Sequence, residues 1–216
     1  LRSCLSMSVI QYASCRLPTL HGEFDLKIYR SSRDEEIAVL VNDNADSSKI
    51  PFVRIHSQCF TAEVLGSLKC DCREQLAYAL QRAGTGEEPG IIIYLPQEGR
   101  GIGLGNKIKA YNLQDQGADT LEANHLLGFE GDLRDFEMAA DILGQMNIRR
   151  VRLNTNNPDK IQAVLESGIQ IEEIVPSIGN ENPHNREYLR TKADKMGHIQ
   201  LKGIPMSVVS CAERPD

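Results

Sequence analysis

The sequence predicts an α/β fold, with a three-layer core around a mixed sheet and an antiparallel β portion at its N-terminal end. Three observations predict it. The first sixty residues are dominated by apolar alternation and short apolar runs. From residue 50 to residue 175, strand-like and helix-like segments take turns, the pattern of a sheet covered by helices. No internal repeat or low-complexity linker divides the chain, so a single domain over residues 1–216 is expected, with its core at about 16–200 and a mobile tail at 203–216.

Taken in order, EFDLKIY alternates apolar and polar residues, EIAVLV is a compact apolar run, and IPFVRI follows a polar turn; all three read as strands. SSRDEE and NDNADSSK are the loops between them. REQLAYALQRA places Leu76, Ala79, Leu80 and Ala83 on one helical face. GTGEEPG ends it, and GIIIYL is a buried strand. Helices are predicted over NKIKAYNLQDQ, TLEANHLL and RDFEMAADILGQM, the second with Asp119 as N-cap and Glu122 as its partner. RRVRLN is a strand. It leads into a helix with Asn157 as N-cap, Pro158 in its first turn and Gly168 at its end. IQIEEIV is a late strand and NREYLRTKADKMG a last helix.

Composition narrows the function. The 41% hydrophobic and 25% charged content is that of an ordinary globular chain. A net charge of -6 disfavours nucleic acid as a partner. No apolar run approaches a transmembrane length, so no membrane partner is expected either. The opening LRSCLSMSVIQYASCRL lacks the charged-then-apolar order of a secretory signal, so a cytoplasmic location with reduced thiols is expected. The cations gather in and beside the motifs below (Arg54, Lys69, Arg73, Arg100, Lys107, Lys109, Arg134, Lys160), which suits a small anionic ligand.

CFTAEVLGSLKCDC sets Cys59, Cys70 and Cys72 within fourteen residues, out of six cysteines in the chain. Such a cluster ligates a metal, forms a disulfide, or is a set of small buried hydrophobes. Three thiolates leave a zinc ion one open position, as catalytic sites require; His56 as a fourth ligand would close the site and make it structural. Zinc deaminases use comparable ligands on nucleobases, but their H-x-E and P-C-x-x-C signatures are absent. QEGRGIGLGNK has glycines at 99, 101, 103 and 105 between a strand and a helix. It is neither a Walker A loop nor G-x-G-x-x-G, and reads as a phosphate cradle or as a flexible turn. In GDLRDF, Asp132 and Arg134 are a helix cap with a surface arginine or a functional pair. TNNPDK is equally divided between turn chemistry and a ligand-facing Lys160.

Together RIHSQC, SLKCDCREQL, QEGRGIGLGNKIKAYNLQDQGADTLEANHLLGF, DLRDF, NTNNPDK and YLRTKADKMGH closely resemble GTP cyclohydrolase II, the first enzyme of riboflavin synthesis. The resemblance runs in order from about residue 16 to residue 200. It implies GTP as substrate, with release of formate and diphosphate to leave a diaminopyrimidinone ribosylamine phosphate. It implies a zinc ion on Cys59, Cys70 and Cys72, a Mg2+ ion with the GTP phosphates, and a homodimer. It assigns GTP contacts to Arg54, Ile55, His56, Ser57, Gln58, Gln75, Glu98, Gly99, Arg100, Thr120, Thr155 and Lys160. Tyr111 would assist at the imidazole ring, Asp132 would accept a proton, and Arg134 would attack the α-phosphate. A guanidinium with a pKa above about 12 is a poor nucleophile, and charge stabilisation of departing diphosphate explains Arg134 equally well.

Two departures stand out. Gln58 occupies a position where the family usually has Glu, and Asn154 one where an apolar residue is usual. No dihydroxybutanone-phosphate synthase half accompanies the motifs, so a chain with the one activity is expected. The resemblance also admits a family branch that stops at the formamidopyrimidine or serves another pathway, and a GTP-binding regulator without chemistry.

Overall fold

Seven strands form one mixed sheet in the order β1-β2-β3-β5-β4-β6-β7 in a computed structural model that describes residues 9–42, 48–117, 120–129, 132–177 and 179–196. The strands are β1 (Val9–Thr19), β2 (Gly22–Ser31), β3 (Glu36–Asn42), β4 (Phe52–Ser57), β5 (Gly90–Leu95), β6 (Arg150–Asn154) and β7 (Gln170–Val175). The N-terminal three pair antiparallel, and β3 joins antiparallel to β5 with Val41 opposite Ile91. From β5 through β4 and β6 to β7 the pairing is parallel. The expected mixed sheet with an antiparallel N-terminal portion is the observed one.

The described residues form seven α-helices: α1 (Phe60–Glu63), α2 (Cys72–Gly84), α3 (Leu104–Asp115), α4 (Thr120–Leu126), α5 (Glu137–Gln145), α6 (Pro158–Glu166) and α7 (Arg186–Met196), of which α2 to α7 follow the sequence signals with shifted ends. Residue alternation along β5 divides the core. Ile91, Ile93 and Leu95 join Val53, Ile55, Val151 and Leu153 against Met138, Ile142 and Leu143 of α5 and Val164 of α6. Ile92 turns to the other face, where Phe24 and Phe52 pack against Ala79 and Ala83 of α2. Helices on both faces make the three layers.

Local chemistry explains the boundaries. Asn157 caps α6 through its side chain, which accepts from Asp159 N, and Pro158 follows in the first turn. Gly168 takes φ +80° just beyond the helix, the left-handed stop the sequence predicts. α5 begins at Glu137, later than expected, and it is Asp135, not Asp132, whose carboxylate accepts from the Glu137 amide at 2.8 Å. Asp132 is therefore no cap. The expected cap Asp119 and the tail 203–216 lie outside the described residues.

Two elements were not expected. β1 is an edge strand with only Val9 buried, so it carries no buried-face alternation, and its Pro18 sits where an edge tolerates it. α1 is a single turn, too short for helical periodicity.

Candidate active site

The site residues gather at the carboxyl ends of the parallel strands β4, β5 and β6, where open α/β sheets bind ligands. β4 runs directly into Ser57, Gln58 and Cys59; the segment after β5 supplies Gln97 to Arg100; the segment after β6 supplies Thr155 to Lys160. Two adjoining pockets share Ser57, Cys72, Arg100, Arg134 and Tyr188 as walls, so they are two ends of one cleft. One end holds the cysteines and Tyr111. The other holds Gln75, Thr155, Asn157 and Lys160.

The three cysteine sulfurs lie within 4.8 Å of one another. Cys59 precedes α1, Cys70 follows the α1–α2 turn, and Cys72 opens α2. Cys59 Sγ and Cys70 Sγ are 3.6 Å apart and all three are free thiols, which removes the disulfide reading. Ligands at about 2.3 Å in a tetrahedron sit about 3.8 Å apart, so the three sulfurs fit one zinc ion. The neighbouring sulfurs of Cys70 and Cys72, together with the Lys107 ammonium 3.1 Å away, hold the Cys59 thiol well below the usual range. The adjacent Cys59 sulfur pushes the Cys70 thiol up to about 11.

His56 does not complete this group. It is 1% exposed, its Nε2 lies 2.8 Å from Glu63 Oε1, and Glu63 Oε2 also accepts from the Tyr94 hydroxyl at 2.6 Å. Nδ1 faces an Arg54 donor at 3.3 Å, so Nδ1 accepts and Nε2 carries the proton. Burial, only partly offset by Glu63, lowers the His56 pKa to about 4 and keeps the ring neutral. The closed four-ligand site is not formed.

Arg54 is a buried keystone. Nη1 donates to the Asn154 carbonyl at 3.2 Å and to Ser177 Oγ at 2.7 Å, and Nη2 to Gln75 Oε1 at 2.6 Å. Gln75 passes the chain on to Asp71. Asn154, unusual beside an apolar core, donates to the carbonyls of Val175 and Pro176 and accepts from Arg54. It fastens the ends of β6 and β7 to the arginine. Burial lowers the Arg54 pKa to about 10, which leaves it charged at neutral pH.

The glycine segment is a tight turn rather than an open loop. Gly99, Arg100 and Gly101 all take left-handed φ near +62°, +61° and +89°. A Cβ at Gly101 would approach Leu133 to 3.1 Å, and Leu133 N donates to the Arg100 carbonyl at 3.0 Å. A non-glycine residue in this conformation is strained, and Arg100 lines both ends of the cleft. Arg134 Nε donates to both Asp132 oxygens, at 2.8 and 3.1 Å, and its Nη2 completes the fork. Burial opposes the charges, but the pairing wins: the Asp132 pKa is lowered and that of Arg134 raised. Burial raises the Tyr111 pKa against the pull of Lys107, so its hydroxyl keeps its proton.

The remaining expected contacts sit in and around the cleft with partners of their own. Ile55 points its side chain into the core, and its carbonyl accepts from Lys160 Nζ at 2.9 Å. The Glu98 carboxylate faces inward, bonded to Lys107 Nζ at 2.7 Å, Phe60 N at 2.6 Å and Gly99 N at 3.1 Å. Thr155 Oγ1 accepts from Asn157 N at 3.0 Å and lines the cleft. Gln58 is tied through its amide to the Leu95 carbonyl and lines the cysteine end. Thr120 begins α4. Sequence reasoning assigned no role to Glu63, Tyr94, Ser177 or Tyr188, although Glu63 lies within the cysteine stretch and Tyr188 opens YLRTKADKMGH. Lys107 was legible in part, as one of the cations gathered at the glycine motif.

Residues 10–176 match the model of the GTP cyclohydrolase II family. The chain is 50% identical over 195 residues to a GTP cyclohydrolase-2 of Hahella chejuensis, covering 89% of this chain and 93% of that protein. It is 46% identical over 197 residues to the riboflavin biosynthesis protein RibBA of Synechocystis, covering 90% of this chain but 35% of that longer protein. Among solved structures it is similar, at 18% identity and a TM-score of 0.47, to RibBX of A. baumannii, a two-domain 3,4-dihydroxy-2-butanone 4-phosphate synthase; the match covers 81% of this chain and 42% of that one. The chain belongs to the GTP cyclohydrolase II family of riboflavin biosynthesis, and it is an enzyme of that kind.

Proposed function

We propose that this chain opens the imidazole ring of GTP and releases formate and diphosphate, leaving the diaminopyrimidinone ribosylamine phosphate. The observation that carries this reading is a set of buried polar atoms around the cleft with no hydrogen-bond partner among the described residues. They are Arg100 Nη1 and Nη2, Asn157 Nδ2 and Ser57 Oγ. Buried donors without partners are costly unless a ligand completes them, and these suit the oxyanions and polar edges of a nucleotide. They lie in the same cleft as the three cysteines, so a bound nucleotide reaches the metal-capable group.

Cys59, Cys70 and Cys72 would hold zinc, whose Lewis acidity acidifies water for attack at an electron-poor ring carbon. Tyr111, kept as a phenol beside the cysteines, donates a proton to the departing nitrogen in the second hydrolysis, when the formamide loses formate. Arg134, held protonated by Asp132, stabilises charge on the leaving diphosphate rather than attacking phosphorus. Arg54 and His56 position the cleft floor, and Gln75, Thr155 and Lys160 line its far end. Mg2+ accompanies the GTP phosphates, Thr120 and Gly99 contact substrate, and the chain works as a single-domain cytoplasmic homodimer.

Incubating the protein with GTP, zinc and magnesium tests the reading, with diphosphate, formate and nucleotide products followed together. Formate and the deformylated pyrimidine are the expected products. Accumulation of the formamidopyrimidine alone would identify the shortened branch. GTP binding without either product would leave a regulator.

A further inference from the structure

Lys107 lies beside the cysteine cluster, and its environment does not suit the anionic ligand its charge first suggests. Its side chain is 12% exposed, and its ammonium has three acceptors: Glu98 Oε1 at 2.7 Å, Thr61 Oγ1 at 2.9 Å and Cys59 Sγ at 3.1 Å. An ammonium has three protons, so these contacts match its donors one for one. Glu98 is anchored in turn to the amide of Phe60, the residue after Cys59, at 2.6 Å. A closed circuit therefore runs from Cys59 through Phe60, Glu98 and Lys107 back to the Cys59 sulfur.

We propose that Lys107 is a positioning residue for the Cys59 sulfur, holding its direction and withdrawing charge from it so that a three-thiolate site keeps enough Lewis acidity to work. The proposal rests on the metal reading of the three cysteines. Three thiolates more than neutralise a divalent ion, and an ion so neutralised acidifies water weakly. An N–H···S bond from a fixed cation reverses part of that donation, the way partners behind metal ligands tune a site. Stability alone does not account for the arrangement, because a buried lysine–glutamate pair is often replaceable by apolar residues without loss. The bond to sulfur is what an apolar pair cannot supply.

The test uses cobalt(II) in place of zinc, since its thiolate-to-metal charge-transfer band reports on the sulfur directly. A hydrogen bond stabilises the sulfur lone pairs and raises the energy of that band. Lys107→Met keeps the stem and removes the donor. Its band should move to longer wavelength, and chelator competition should show metal affinity reduced about 10- to 100-fold. Lys107→Arg, which keeps charge and donors, should restore the band towards its wild-type position. An unshifted band and unchanged affinity in Lys107→Met would overturn the proposal while leaving the metal site intact. Failure of the wild-type protein to take up cobalt or zinc would overturn the metal reading, and this proposal with it. Should Lys107→Met not fold, Lys107→Arg decides: a band shifted as far as that of cobalt thiolates without a donor counts against it.

Discussion

Arg134 and Asp132 form a forked ion pair two residues apart, with Arg134 Nε 2.8 Å from Asp132 Oδ1 and the Arg134 amide 3.1 Å from the same oxygen. The carboxylate thus binds the side chain and the backbone of one residue, which sets the guanidinium in a single direction across the cleft. A pair so matched is a poor source of a deprotonated guanidine. It is a good source of fixed positive charge where diphosphate departs.

Arg134→Ala should therefore lower the rate of diphosphate release by about 100- to 1,000-fold. Lysine at this position should recover little of it, because an ammonium lacks the planar fork that Asp132 holds. Single-turnover measurement of diphosphate and formate separates the steps. Rapid diphosphate release by Arg134→Ala would remove the residue from phosphate chemistry.

Cys70→Ser should lose bound zinc and formate release together, since the sulfurs of Cys59 and Cys72 alone leave two of four tetrahedral positions unfilled. Metal analysis by atomic emission checks the first half and a formate assay the second. His56→Ala should retain zinc, because His56 Nε2 is committed to Glu63. Zinc loss in that variant would place the histidine among the ligands after all.

Tyr111→Phe keeps the ring and removes the proton that burial retains on the hydroxyl. Formate release should slow by about 100-fold, the usual scale for one general acid, and the formamide should accumulate. Mass spectrometry of quenched reactions detects it. A variant with normal formate release would show that the phenol moves no proton.

His56 also makes stability depend on pH. Its pKa is about 6.5 in the unfolded chain and about 4 when buried, so between these values the unfolded chain holds more protons. Stability should rise as pH increases from about 4 to about 6.5 and level off above, with an amplitude of order 3 kcal/mol from this residue. Urea unfolding of metal-free wild type and His56→Gln at several pH values measures it. The variant should have a flatter profile in that window, and parallel profiles would refute the assignment.

Strand and helix order was legible in the sequence wherever burial imposes a pattern. The apolar run of GIIIYL and the helical face of Leu76, Ala79, Leu80 and Ala83 are core-facing residues, and the cap signals of Asn157 and Pro158 act within a few residues. β1 and α1 left no such mark, because an exposed edge strand and a single turn bury too little to constrain residue type. The identity of the cluster Cys59, Cys70 and Cys72 was equally plain, since three thiols within fourteen residues are a local feature.

What each polar side chain faces was decided by the tertiary structure. Glu98 and Lys107 both belong to a motif that suggests ligand contact, yet they meet each other because the turn at Gly99–Gly101 folds them back towards Cys59. Arg54 reaches Asn154 a hundred residues along the chain, and His56 reaches Glu63 instead of the metal-capable sulfurs. A buried charge must find a partner, and several partners are always within reach of composition. Only the parallel register of β4 with β5 and β6, which stacks their carboxyl ends together, selects which partner each one finds.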